Sequence, residues 1–391
     1  MYMDYSQKIA RQIAGIPRSG IRDFFELVQG REGVISLGVG EPDFTTPWHI
    51  REAAIYALEK GHTSYTSNLG LPALRKSIAR YVSDFFHVQY DALTEVLVTV
   101  GVSEAIDIAL RALINPGDEV IYHEPCYVSY SPSIVMAYGT AVGVHTRKRD
   151  GFSLKPEELA KVITPKSRVL MLNFPTNPTG ATASREDLEG IAKLCIEHDL
   201  FVLTDEIYSE LRYDASEEHV SIAALPGMKE RTILLHGFSK AFAMTGFRLG
   251  YACAPQPITE AMMKIHQYSM LCAPIMSQMA AIEALENGAP EVAKMRDAYH
   301  QRRDFLVKRL NQMGLSCHSP GGAFYVFPDI RETGLSSKDF AMRLLEEEGV
   351  AAVPGSAFGT SGEGFLRCCY ATGFDDLKLA MDKMERFVGR L

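Results

Sequence analysis

The sequence predicts an α/β fold. A mostly parallel, seven-stranded sheet is sandwiched by helices, and a smaller α+β domain accompanies it. Three observations carry this expectation. At 391 residues the chain is too long for one small core. Short apolar runs alternate with amphipathic stretches, the pattern of strand–helix–strand units. Several runs are continuously apolar rather than alternating, as strands buried on both faces should be.

Seven runs are candidate strands: Val96–Val100, Val120–Tyr122, Ala141–His145, Val169–Asn173, Phe201–Thr204, Thr232–Leu235 and Leu249–Cys253. Helical patterns between them cover Ser103–Leu113, Ser184–His198 and Ile258–Ile265. The remainder reads differently. A charged helical stretch, Pro290–Met313, is followed by a strand over Gly321–Phe327, a helix over Ser337–Glu348, a strand over Phe365–Tyr370 and a closing helix over Asp375–Leu391. The segment before Thr45 is expected to pack on this smaller unit. The expected domains are therefore 45–285 for the large sheet, and 1–44 with 286–391 for the smaller one.

Composition narrows the class. The chain is 47% hydrophobic and 23% charged, which is globular rather than disordered. A net charge of −8 argues against nucleic acid, which wants a basic face. No block of like charge suggests a tail or a polybasic anchor. The seven cysteines are scattered, odd in number and without a CxxC pair, which fits a reduced, cytoplasmic compartment. The N-terminal residues lack a signal-peptide pattern, and no apolar stretch reaches membrane-spanning length. Neither nucleic acid nor membrane is expected as a partner.

In open sheets of this type, ligands bind beyond the carboxyl ends of the strands. After Val96–Val100 come Gly101, Val102 and Ser103 and then a helix, whose N-terminal N–H groups and dipole suit an anion. Ser103 alone reads more simply as an N-cap. After Val169–Asn173 comes a Pro- and Gly-bearing loop that offers the amide of Asn177, or is only a turn. After Phe201–Thr204 come Asp205 and Tyr208. A carboxylate at the end of a buried strand is costly unless paired, so Asp205 either caps a helix or holds a proton or cation of a ligand.

After Thr232–Leu235 comes the segment 236–251, with Ser239, Lys240 and Arg248. Lys240 is either a solvated loop charge or a reactive amine. Taken together, these strand ends place hydroxyl, amide, carboxylate, phenol, amine and guanidinium along one sheet edge. That set suits an aromatic, phosphorylated, aldehyde-bearing cofactor. Pyridoxal 5'-phosphate fits. A nicotinamide does not, because no GxGxxG follows a strand. No cluster has metal-ligand spacing, so no metal is expected.

At this point the chain resembles a family along essentially its whole length, the fold-type I, class I aminotransferases. The matching segments are Ser36-Leu-Gly-Val-Gly-Glu-Pro-Asp-Phe44, Tyr65-Thr66 with Gly70-Leu-Pro-Ala-Leu-Arg75, Asn177-Pro-Thr-Gly180, Asp205-Glu-Ile-Tyr208, Ser239-Lys240 with Arg248, and Val353-Pro-Gly-Ser-Ala-Phe358. The stretch Ile16–Phe25 and the surroundings of Lys240 look most like aromatic aminotransferases of thermophiles. The bacterial aspartate or N-acetyl-diaminopimelate aminotransferases are also similar.

The resemblance implies roles. Lys240 would form the Schiff base with the cofactor, and its amine, once freed by substrate, would move the proton. Such a lysine needs a lowered pKa, expected from the imine linkage and nearby Arg248. Asp205 would pair with the pyridinium nitrogen and keep the ring an electron sink. Tyr208 and Asn177 would bond the ring hydroxyl, and Tyr127 would stack on the ring. Ser239, Arg248 and the Gly101–Val102–Ser103 turn would hold the phosphate. Tyr65 would reach the phosphate of a neighbouring subunit, implying a homodimer with shared active sites. Arg367 would take the substrate carboxylate as a planar fork, beside Asn177, with Gly38 allowing close approach.

The chain also departs from the family. Gly237 stands where many relatives carry Ser or Thr, which leaves one phosphate contact in doubt. No second arginine falls in Lys264–Ser277, and Ser103 stands where some aspartate enzymes use lysine. A second carboxylate would need Arg18, Arg22 or another group. The expected reaction therefore moves an amino group from an aromatic or large apolar amino acid to a 2-oxo acid, by family habit 2-oxoglutarate. The alternatives are an aspartate or N-acetyl-diaminopimelate aminotransferase and a pyridoxal-phosphate β-lyase.

Overall fold

A computed structural model describes residues 5, 8–18, 20, 21, 26, 28, 30–214 and 219–391. Its strands are β1 (Ile35–Ser36), β2 (Val96–Thr99), β3 (Glu119–Glu124), β4 (Thr140–His145), β5 (Ser167–Leu172), β6 (Phe201–Asp205), β7 (Thr232–Gly237), β8 (Gly250–Cys253), β9 (Tyr325–Val326), β10 (Val350–Ala351), β11 (Val353–Pro354) and β12 (Leu366–Cys369). The seven predicted runs become the seven strands of one sheet, ordered β2-β8-β7-β6-β5-β3-β4. All run in one direction except β8, which is antiparallel to both neighbours.

The apolar runs are explained by burial on both faces. Val96, Val98, Leu234, Tyr251 and Cys253 pack with Leu74 and Ile78 of the helix Pro72–Phe86. Leu97, Leu203, Ile233, Leu235 and Ala252 pack on the opposite side with Ala105, Ile108 and Ala109 of the helix Gly101–Leu113. Alternate residues of each strand thus serve opposite layers. The helix Arg185–Glu197 starts where predicted, with the Ser184 hydroxyl accepting the Asp187 N–H. Ser103, by contrast, lies inside its helix and does not cap it. No helix among the described residues is long and apolar enough to cross a membrane.

The C-terminal region forms a three-stranded antiparallel sheet, β11-β12-β9, flanked by the helices Ala289–Gln312, Ser337–Glu348 and Phe374–Val388. The N-terminal segment joins this region, because β1 pairs in parallel with β10. The strand predicted over Gly321–Phe327 shortens to Tyr325–Val326 for a physical reason. The N–H groups of Gly321 and Gly322 both bond the Gly180 carbonyl, at 2.9 and 3.1 Å, instead of a strand partner. A Cβ on Gly322 would lie 2.5 Å from Pro175 Cγ, so glycine is what lets this segment press on the loop after β5.

Candidate active site

A cavity of about 370 Å³ opens where β2, β5, β6 and β7 end, a size ordinary for a small-molecule site. Lys240 enters it from the loop after β7. Its Nζ donates to the Gly40 carbonyl at 2.7 Å and lies 5.7 and 5.9 Å from the Phe324 and Tyr208 ring centres. Burial pushes its pKa down to about 8, with Arg367 and Arg248 adding to the effect and Cys369 and Glu41 opposing it. Arg248, one of the two causes expected, thus contributes less than loss of water.

Asp205 closes β6 at the other side. The Tyr130 hydroxyl donates to its Oδ2 at 2.7 Å, and the Ile207 N–H to its Oδ1 at 3.3 Å. Burial outweighs these bonds and raises its pKa to about 6. Asn173 donates from Nδ2 to the Asp205 carbonyl at 2.8 Å and accepts the Asn177 N–H at 3.1 Å, which locks two strand ends together. A buried carboxylate held this way is suited to a cationic ring nitrogen.

The opposite end of the cavity is built for an anion. Arg248 sits in the left-handed region at φ 49° and donates from Nη1 to the Thr245 carbonyl at 2.9 Å. No carboxylate among the described residues pairs with it. Gly101, at φ +77°, begins the adjacent helix, and a Cβ there would lie 2.7 Å from Arg248 Nη2. The guanidinium therefore lies directly over the turn whose N–H groups start the helix. Val102, Ser103 and Ser239 complete this end.

Arg367 is the largest of the fully buried side chains. Its Nη1 donates to Asn177 Oδ1 at 3.0 Å, its Nη2 to the Gly38 carbonyl, and its guanidinium stacks 4.6 Å from the Tyr325 ring centre and 4.9 Å from that of Phe358. Its Nε has no partner, and no acid among the described residues pairs with it. A buried guanidinium without an anion is costly, so this one is poised for a carboxylate. Tyr208 and Tyr325 share a hydroxyl–hydroxyl bond of 2.9 Å beside it.

The cavity brings together Lys240, Asp205, Tyr208, Asn177, Tyr127, Val102, Ser103, Ser239, Arg248 and Arg367. Gly101 and Gly38 stand behind its wall. Tyr65 does not reach it and is 83% exposed. Arg18 is not on the wall and pairs with Glu26 at 2.9 Å, and Arg22 lies outside the described residues. Sequence reasoning missed Tyr130, Asn173 and Tyr325. Asn173 ends the run before the Asn177 loop, so the strand-end rule that selected Asp205 would have found it. Tyr130 follows Tyr127 by three residues, across the turn that leads into the next helix. Tyr325 gives no signal, being one aromatic among several on a buried strand.

The family of aminotransferase class I and II matches residues 32–383. This chain belongs to that family. The aminotransferase is 46% identical over 370 residues to "Aromatic-amino-acid aminotransferase 2" of Thermococcus litoralis, covering 94% of this chain and 95% of that one. It is equally 46% identical over 370 residues to "Aspartate aminotransferase" of Pyrococcus abyssi, with the same coverage. Among solved structures it is similar to the aromatic aminotransferase from Pyrococcus horikoshii OT3, at 47% identity and a TM-score of 0.90, over 95% of this chain and 99% of that chain. It is a transaminase of the pyridoxal-phosphate-dependent kind. The cavity's donors fit that cofactor: an unpaired arginine over a helix start at one end, a buried carboxylate at the other and an amine between them.

Proposed function

We propose that this aminotransferase moves an amino group from an aromatic or large apolar L-amino acid to a 2-oxo acid. One observation carries the donor assignment. Among the described residues, Lys240, Arg248 and Arg367 are the only cations lining the cavity, whereas Ile21, Ile106, Tyr127 and Tyr325 also line it. A second carboxylate entering there would lose its water without gaining a partner. The name of the Thermococcus litoralis relative agrees. The second reading, an aspartate aminotransferase, rests on the equally similar Pyrococcus abyssi protein.

When bound, the cofactor supplies an aldehyde carbon for covalent attachment and a ring that draws electrons from the substrate's α-carbon. The chain's own residues do the rest. Arg248, Ser239 and the N–H groups of the Gly101–Ser103 turn hold the phosphate. Asp205, its carboxylate fixed by Tyr130, would keep the ring nitrogen protonated. Tyr127 would cover one ring face, and Tyr208 with Asn177 would bond the ring hydroxyl. Arg367 takes the substrate carboxylate, which fixes the α-carbon near Lys240. The Lys240 amine, whose pKa burial has lowered, would take the proton from that α-carbon. Tyr65 serves the site of a second copy, so the working form is a homodimer. We place it in the cytoplasm and divide it at residues 45 and 285, with 45–285 holding the cofactor.

A donor panel tests the assignment. Phenylalanine and tyrosine should change the visible spectrum of the bound cofactor faster than aspartate at equal concentration. A spectrum that responds to aspartate and not to either aromatic would replace this reading with the second.

A further inference from the structure

The helix that starts the phosphate site carries a carboxylate just past it. Glu104 faces away from the cavity and reaches back along its own helix. Its Oε2 accepts the Val100 N–H at 2.5 Å, and its Oε1 lies 2.6 Å from His266 Nδ1. Val100 precedes the helix and offers no side-chain cap of its own. Glu104, the fourth residue of the helix, therefore closes the turn from within by accepting the N–H of the residue before it.

His266 belongs to the helix Gln256–Ser269 and is fully buried. Its other ring nitrogen, Nε2, has no partner. The imidazole thus addresses one carboxylate and nothing else. That arrangement answers an electrostatic problem. A carboxylate in the first turn suits the helix dipole but repels a phosphate bound at the same helix end. A histidine on its far oxygen draws that charge away while leaving the near oxygen on Val100.

We infer that Glu104 and His266 form a strut that sets the phosphate-binding turn, with His266 a positioning residue for cofactor retention. The inference rests on the phosphate assignment made above. The strut acts on the phosphate end alone, so it matters for pyridoxal phosphate and not for pyridoxal, which lacks the phosphate.

The test is titration of cofactor-stripped protein with each aldehyde, followed by visible absorbance. His266→Gln should weaken pyridoxal phosphate binding about tenfold or more, the range for losing a charged hydrogen bond, and leave pyridoxal binding unchanged. Glu104→Ala should do the same, and Glu104→Gln, which keeps an acceptor for Val100, should lose less than Glu104→Ala. Equal losses for both aldehydes overturn the strut, as does native pyridoxal phosphate affinity in both His266→Gln and Glu104→Ala. If Glu104→Ala does not fold, His266→Gln and Glu104→Gln carry the same comparison. Arg248→Ala, run in parallel, reads the phosphate assignment itself. Undiminished pyridoxal phosphate binding there would place the phosphate elsewhere, whatever His266 does.

Discussion

Lys240 owes its chemistry to where its amine sits. A pKa near 8 leaves on the order of 10²-fold more neutral amine at pH 7 than an ordinary lysine near 10.4 has. In cofactor-free protein, acylation of Lys240 followed by mass spectrometry should rise through a midpoint near pH 8. A midpoint above pH 10 would mean the amine is solvated. Asp205 carries the opposite imbalance. Its folded pKa of about 6 exceeds the unfolded value, so the folded state binds the extra proton. That contribution is complete below about pH 4 and is lost as pH rises through 6. Relative to Asp205→Asn, the cofactor-free protein should lose urea resistance across that window, by roughly 2–3 kcal/mol from the two-unit shift. A constant difference in midpoint from pH 4 to 7 would contradict the buried carboxylate.

Among the elements, the turn at Gly101 joins backbone geometry most directly to the site. Alanine there would hold a left-handed conformation, at about 1–3 kcal/mol, and would push its methyl against Arg248. Gly101→Ala should lower the melting temperature and empty the protein of cofactor. Gly246→Ala, on the lysine loop with nothing within 4 Å, should do neither. Most of the sheet strands were legible because burial on both faces leaves short continuous apolar runs, such as Val120–Tyr122 and Val169–Leu172, although the edge strand β4 is only partly buried. β1, β10 and β11 were not, since two residues carry no period. Strand ends likewise revealed Asp205 and Lys240, which are polar where the runs stop. Tyr325 and Tyr130 stayed hidden because a buried phenol looks like core until its hydroxyl partner is known. The pairing of Glu104 with His266 spans 162 positions, and no local pattern records it.

For the whole molecule, the exposed aromatics are the open account. Tyr65 and Tyr268 are 83% and 88% exposed, and Trp48 and Tyr56 are more than half so. In the proposed homodimer such rings gain a cover. Sedimentation should give the mass of two chains. If Tyr65 serves the partner's site, Tyr65→Ala and Lys240→Ala should each impair turnover. Mixing and reassociating the two variants should then regain activity, because one site of each mixed pair is intact. Failure to regain any, with mixed dimers demonstrated, would put Tyr65 outside the shared site.

The reversal of β8 has a further consequence. Because it runs back against β7, with Gly237 opposite Gly250, residues 238–249 leave and rejoin the sheet at the same edge. No crossover helix intervenes, so the connection that holds Ser239, Lys240 and Arg248 is clamped at both ends. Surface connections usually absorb extra length cheaply. Here a single inserted residue would carry the amine and the guanidinium off target together, which makes the number of residues in this loop as much a determinant of activity as their identity.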